Sequence, residues 1–220
     1  MSTDRLEPSR RSVQYAVRRP LVDWLRSRTI DGRVLDVGCG DRPYAELFPD
    51  AVGFDVPGNP HADLHGAIDA IPVEDASFDV VLCLQVLEHV PDPAAAIREL
   101  HRVVRPGGRV LLTTHGVYPF HPNPDDLWRW THQGLERLFL TSSEWTSVTV
   151  SPGAGTAATT GMLVAHGLDL LCKRAHVRGL ATPFVVALNA LGESLDHAVP
   201  ALASTQPGTL HANHHVEAVR

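Results

Sequence analysis

The chain of 220 residues has little cysteine, no block of like charge and no long apolar run. Cys39, Cys83 and Cys172 are odd in number and far apart, and two of them fall in strand or turn patterns that read as interior. Neither a disulfide framework nor a zinc site is implied. The opening MSTDRLEPSRR lacks the continuous apolar segment of a secretory signal, so the cytoplasm is the expected location. No stretch approaches the length that crosses a bilayer, and no membrane span is expected. A net charge of −6, without five like charges in a row, offers no broad basic face for phosphate backbones, so nucleic acid is not an expected partner. Arginines do gather early (Arg5, Arg10, Arg11, Arg18, Arg19), but Glu7 and Asp23 dilute them into a solvated, partly helical surface. Internal repeats and low-complexity tracts are absent as well.

With 44% apolar residues the chain can bury one sizeable core, and a single domain over 1–220 is expected. Apolar Val13, Val17, Leu21 and Leu25 recur at helical spacing in a lead-in over 1–32, where Pro20 must either kink the helix or begin a second one. Short strands are predicted over 33–37, 52–56 and 61–64, with only a helical turn or short helix between the first two. The apolar run of SFDVVLCLQ predicts a central strand over 78–84, covered on both faces. A helix over 93–104, with Asp92 and Pro93 as cap and first turn, stops at PGG before a strand over 109–114. Then come a helix over 131–140 and a strand over 145–150. Two alanine-rich helical patterns follow within 155–200, and a returning strand lies in LHANHHVEAVR. Alternating strands and helices imply right-handed crossovers, and hence an α/β fold: a doubly wound, mostly parallel seven-stranded sheet with an inserted helical pair before its last strand. The inserted pair encloses an apolar substrate, forms the seam of a homodimer or, as apolar helices more often do, simply packs as core.

In such sheets ligands bind beyond the carboxyl ends of the strands, which directs attention to the turn VLDVGCG. Gly38 and Gly40 let the backbone turn sharply and approach a ligand, and Asp36 just before them can pair with an ammonium. Asp55 ends the second strand nineteen positions after Asp36, where a carboxylate can accept from both ribose hydroxyls of a nucleoside. NAD enzymes use the same position, but the third glycine of a dinucleotide fingerprint is missing, because the turn continues as Asp41, Arg42 and Pro43.

The succession VLDVGCG, GFDV, AIPVEDASFDVVLCLQVLEHVPDP and ELHRVVRPGGRVLLTT, over 33–114, resembles the small class I S-adenosylmethionine-dependent methyltransferases that act on metabolites. The resemblance implies S-adenosylmethionine as cofactor. Gly38, Cys39 and Gly40 would line its methionine end, Asp36 would hold the amino group, and Asp55 would hold the ribose, with Val56 next to it also at the cofactor. The backbone at Leu84 and the side chain of Gln85 would border the transferring methyl. One departure concerns adenine: the family's aspartate slot is Ala67 here, so Asp63 or Asp69 substitutes, or adenine rests on backbone and apolar contacts near Ile68. The segment HPNPDDLWRWT, within 115–130, resembles a lid or acceptor wall of some members. Glu88 and His89 invite comparison with an ExxEH metal set of RNA ribose methyltransferases, but the first position is the neutral amide Gln85, and no metal is expected.

Methyl transfer from a sulfonium needs alignment and desolvation first, and a base when the acceptor is a hydroxyl. Four of the thirteen histidines, His89, His115, His121 and His132, lie near predicted strand ends. His115, directly after a strand, is the first choice for a base and His121 the second; the alternative is that His115 only caps its strand. Trp128 and Trp130 read as anchors of the next helix, and Arg129 either positions an acceptor oxygen or pairs with Asp125 or Asp126. The expected reaction is methyl transfer to a small-molecule acceptor, with O-methylation of a metabolite or glycoside foremost. The competing readings are an NAD-dependent oxidoreductase and a noncatalytic S-adenosylmethionine-binding module.

Overall fold

The structure, a computed structural model, describes residues 5–177 and 179–220, so residues 1–4 of the lead-in lie outside it. Seven strands form one sheet: β1 (Val34–Val37), β2 (Val52–Asp55), β3 (Leu64–His65), β4 (Phe78–Leu84), β5 (Val104–His115), β6 (Ser147–Pro152) and β7 (Asn213–Val219). Their order is β3-β2-β1-β4-β5-β7-β6. Neighbours are parallel except at β7, which runs antiparallel to both β5 and β6. The α/β fold class is therefore as expected from the sequence.

Alternation along the central strands sorts the two layers. Leu35, Val81, Cys83, Val110 and Leu112 face helices α2 (Pro93–Val103) and α3 (His132–Ser142), in a core that holds Ile97, Leu100, Leu135 and Phe139. Val34, Val80, Leu82, Leu84 and Leu111 face the opposite way, toward Leu21, Val22 and Leu25 of α1 (Tyr15–Arg26). Asp36 lies on this second face by the same alternation. Both helices of the first layer start on side-chain caps: Asp92 accepts from the Ala95 N–H at 2.9 Å and Thr131 from the Gly134 N–H at 3.1 Å.

Several boundaries differ from the sequence expectation. Pro20 neither breaks nor splits α1, which runs through it as one helix. The PGG segment does not stop at a turn before β5. The strand begins at Val104, opposite Phe78, and absorbs Arg105–Gly108 as a register shift before Arg109 pairs with Val80. Gly108 makes this possible, because a Cβ there would sit 2.7 Å from the Asp79 carbonyl oxygen. The third strand is only two residues long and starts at Leu64 rather than 61, and β6 is displaced two residues toward the C-terminus. Between β1 and β2 the chain makes a run of turns with hydrogen bonds such as Leu47 N–H to the Tyr44 carbonyl and Phe48 N–H to the Tyr44 carbonyl, the helical turn expected there. The inserted pair is α4 (Thr156–Arg174) and α5 (Thr182–Ala198).

The segment joining β3 to β4 has almost no secondary structure and is fastened by Arg102 of α2. Its guanidinium donates to the Ile71 and Val73 carbonyls at 2.8 Å each and to Glu99 and Asp75, while Glu99 accepts from the Ile71 N–H at 2.7 Å. Replacing Arg102 by alanine is expected to lower unfolding stability by about 2 kcal/mol in a urea titration, since it strands Glu99 and two carbonyls at once.

Candidate active site

The carboxyl ends of β1, β4 and β5 open into a cleft of about 400 Å³. Asp36, the turn at Gly38–Gly40, Leu84 and Gln85 line one end, His89, His115, Tyr118 and His121 the other, and Gln14, Val17, Arg18 and Leu21 of α1 close its side. A larger cavity of about 520 Å³ lies across α1. It shares no residue with the glycine turn.

Left-handed backbone concentrates at the cleft: Gly38 (φ 70), Gly40 (φ 54) and Arg42 (φ 54) after β1, and Gln85 (φ 61) after β4. Gly38 is required twice over, since a Cβ would also meet Val86 at 2.4 Å; beside Gly40 the space is open. Gln85 is a non-glycine held in that region because its side-chain amide donates to Thr113 Oγ1 at 2.9 Å and Asn213 Oδ1 at 3.0 Å, while its N–H reaches the Thr113 carbonyl. β7 thus reaches across β5 to brace the residue that borders the cleft.

The two acids expected at the cofactor are placed differently. Asp36 is buried, receives no hydrogen bond from the described residues, and burial lifts its carboxyl to about 6, with Arg42 pulling the other way. A buried carboxyl without a partner, facing a cleft, suits an incoming ammonium. Asp55 does not line the cleft. It ties the glycine turn to β2, accepting from the Gly40 N–H at 2.8 Å, Asn59 Nδ2 at 2.7 Å and the Val56 N–H at 2.7 Å. Val56 beside it is exposed, and Cys39 is buried, its thiol pushed up to about 12 by burial. Asp63, named as a substitute for the missing adenine aspartate, is used otherwise. It accepts from the Gly53 N–H at 2.7 Å, donates its own N–H to the Gly53 carbonyl, and pairs with Arg42 at 3.4 Å, so it clasps β2. Ile68 packs against the main core.

At the other end His115 is almost fully covered. Its ring stacks on Tyr118 (centroids 3.9 Å, 1° between planes), and its Nε2 lies 3.2 Å from Oε1 of Glu88. Glu88 is completely buried and accepts from the Thr114 hydroxyl at 2.8 Å. Burial pushes the two groups toward their neutral forms, Glu88 upward and His115 down to about 3. His115 Nδ1 has no protein partner. His121 stands 6.2 Å from His115 and 5.9 Å from His89, ring to ring, and burial lowers it too. His132 is elsewhere, packed near His214.

The lid over 115–130 is clamped rather than free. Leu127 and Trp128 donate their N–H groups to the Glu88 carbonyl, Trp128 Nε1 donates to Val90, and Trp130 N–H to the His115 carbonyl. Arg129 grips Asp126 with both terminal nitrogens and donates to the Tyr118 and Pro119 carbonyls, which holds the Asp126 carboxyl down at about 2. Of the two readings for Arg129, pairing with Asp126 is the one realised. Trp128 and Trp130 stack on each other (5.6 Å), and Tyr118 is the lid aromatic that reaches the cleft. Sequence reasoning missed the role of Glu88 beside His115 and the wall supplied by α1. The acid of LEH was a signal for the first, but nothing local marks which face of α1 meets the turn.

A family model described as a methyltransferase domain matches residues 9–147, well over half of the chain. The chain belongs to that family. Curated relatives include proteins named ubiquinone biosynthesis O-methyltransferase from Pseudomonas aeruginosa strain UCBPP-PA14 (37% identical over 114 residues, 42% of this chain and 49% of the relative) and from Pseudomonas putida strain GB-1 (36%, same coverage). The chain spans about half the length of these relatives. Among solved structures, the [4+2]-cyclase SpnF superposes with a TM-score of 0.58 at 20% identity (97% of this chain, 85% of that one). A Haemonchus contortus phosphoethanolamine N-methyltransferase 2, in complex with S-adenosyl-L-methionine, gives 0.54 at 16% (99% and 58%). At these identities the superpositions bear on the fold alone.

Buried histidines set the acid stability. His115 and His215 are held at about 3 and His214 at about 4, far below the ordinary 6.5, so they contribute stability above pH 6.5 that is lost as pH falls, because only the unfolded chain takes up their protons. Asp36 and Glu88 are raised and act in the opposite sense, but they are outnumbered by the lowered histidines, His101 and His121 included. Stability is therefore expected to fall as pH drops from 6.5 to 4.5, measured by denaturant unfolding at a series of pH values; a profile in which stability rises as pH drops over this range would contradict the assignment.

Proposed function

We propose that the chain is a catalytic methyltransferase that uses S-adenosylmethionine to methylate an oxygen of a small-molecule acceptor. One observation carries the reading: a single cleft joins the unpartnered carboxyl of Asp36 and the glycine turn to a histidine whose Nε2 abuts a buried carboxyl. The cofactor supplies an electrophilic methyl on a sulfonium.

Asp36 receives the ammonium of the cofactor's amino acid end, and the backbone at Gly38–Gly40 lies against its carboxylate. Asp55 keeps lone pairs for the ribose hydroxyls while holding Gly40, and Val56 and Ile68 flank the adenine. Gln85, braced by Thr113 and Asn213, borders the methyl-transfer position with Leu84. Tyr118 and Leu21 keep water from the acceptor. With its proton on Nε2, beside Glu88 Oε1 at 3.2 Å, His115 keeps the Nδ1 lone pair to take the acceptor's proton, and Glu88, which burial holds toward its neutral form, positions the ring. His121, on the lid, stands as a second proton acceptor or as a contact to the acceptor. O-methylation is favoured because a hydroxyl requires such a base, and the relatives named as O-methyltransferases agree with it.

Calorimetric titration with S-adenosylmethionine, S-adenosylhomocysteine and NAD tests the cofactor directly. The two sulfur nucleosides are expected to bind and NAD not; NAD binding alone would sink the proposal. Asp36→Asn should weaken binding of both nucleosides at least tenfold. His115→Ala is expected to lower kcat by about 10²-fold or more with cofactor affinity unchanged. The wild-type rate should show no break near pH 6.5, because the base sits well below that value. A rate unaffected by His115→Ala removes it as the base.

A further inference from the structure

Helices α4 and α5 pack so closely that glycines stand where they meet. A Cβ on Gly161 would lie 3.1 Å from the Leu188 carbonyl oxygen, and one on Gly192 would lie 2.7 Å from the Ala158 Cα. Ala165, Ala181 and Val185 fill the rest of that seam. Toward the body of the protein, Met162 packs with Ala16 and Val17, Thr159 accepts from the Ala212 N–H at 2.9 Å, and Asn189 and Glu193 hold Arg10, Ser12 and Tyr15.

The faces turned away from both contacts are apolar and open. On α4 this face carries Thr160, Val164, Gly167 and Leu171, all exposed. On α5 it carries Phe184, Ala187, Leu191, Leu195 and Ala198, and Leu171, Phe184 and Leu191 are each more than half exposed. No charged side chain interrupts either row. The acids of the two helices are engaged elsewhere: Asp196 on the Ala157 and Ala158 N–H groups, Glu193 on Arg10 and Asp169 on Lys173. The open face amounts to about 600 Å², as much as the largest apolar patch of a typical monomer. Doubled in a symmetric pair it would bury about 1,200 Å², which reaches the range of stable, specific interfaces.

The α5 row fits a copy of itself. Its members recur at intervals of three, four, four and three residues, the spacing of a helix–helix seam over two heptads. With Leu191 as the centre, an antiparallel copy sets Phe184 opposite Ala198, Ala187 opposite Leu195 and Leu191 opposite itself, so that a large side chain meets a small one on both sides of the centre. A parallel copy would set phenylalanine on phenylalanine and alanine on alanine. The antiparallel arrangement also brings opposite helix ends together. A lipid surface fits less well, because α5 holds no lysine or arginine to meet the headgroups.

We propose that the outer face of α4 and α5 is the interface of a homodimer, with α5 antiparallel to its own copy across a two-fold axis at Leu191.

The test uses the full chain at micromolar concentration. Sedimentation velocity is expected to show a dimer, and Leu191→Glu to give a monomer with an unchanged far-UV circular dichroism spectrum, since the side chain takes no part in the monomer's core. Orientation is read by crosslinking in a chain carrying Cys172→Ser, which removes the half-covered thiol of α4. Under mild oxidation Leu191→Cys is expected to form an interchain disulfide. Phe184→Cys is not, because its two copies would stand about 21 Å apart along the helix axis. A monomeric wild type overturns the proposal, as does a dimer that survives Leu191→Glu, or crosslinking through Phe184→Cys and not through Leu191→Cys. A monomer that pellets with phosphatidylglycerol vesicles overturns it too and assigns the face to lipid.

Discussion

The buried carboxyl of Glu88 ties together three parts of the molecule that are remote in sequence. Its side chain takes the Thr114 hydroxyl and lies against His115 at the end of β5, and its backbone carbonyl receives the N–H groups of Leu127 and Trp128 from the lid. A carboxyl with no solvent contact is costly unless its oxygens are satisfied or it gives up its charge, and here burial drives it toward the neutral form. The position of His115, the fastening of the 115–130 segment and the shape of that end of the cleft all meet at this one group.

The other end of the cleft depends on backbone geometry. The turn after β1 uses left-handed residues, and Asp55 holds the amide of Gly40 from the neighbouring strand. Asp63 repeats the device one strand further out, with Gly53 as its partner. Carboxylates that look alike in the sequence thus divide into one that accepts no hydrogen bond from the described residues, Asp36, and two that hold the chain, Asp55 and Asp63. The division is decided by whether a backbone N–H lies within reach of the side chain, which depends on strand register.

Much of the scaffold was legible beforehand. The apolar run of β4, the capped start of α2 and the paired helices before the last strand are dictated by periodicity and capping, which are local properties. The boundaries that moved did so where a non-local partner overrode a local signal. PGG looks like a terminator, yet pairing of Val104 with Phe78 draws it into β5, and Pro20 looks like a break, yet the packing of Leu21, Val22 and Leu25 under the sheet carries α1 through it. The lid tryptophans and Arg129 follow the same rule, since the contacts that claim them come from Val90, Asp126 and one another.

The sequence by itself determined the α/β order of elements, the glycine turn with Asp36 before it, and the family, because these rest on residues adjacent in the chain. Only the tertiary structure decided that Asp36 has no hydrogen-bond partner among the described residues, that His115 lies against Glu88, and that α1 divides two cavities. Each of these depends on which side chains burial brings together, and on how much solvent is left to satisfy them, quantities that no local spacing encodes.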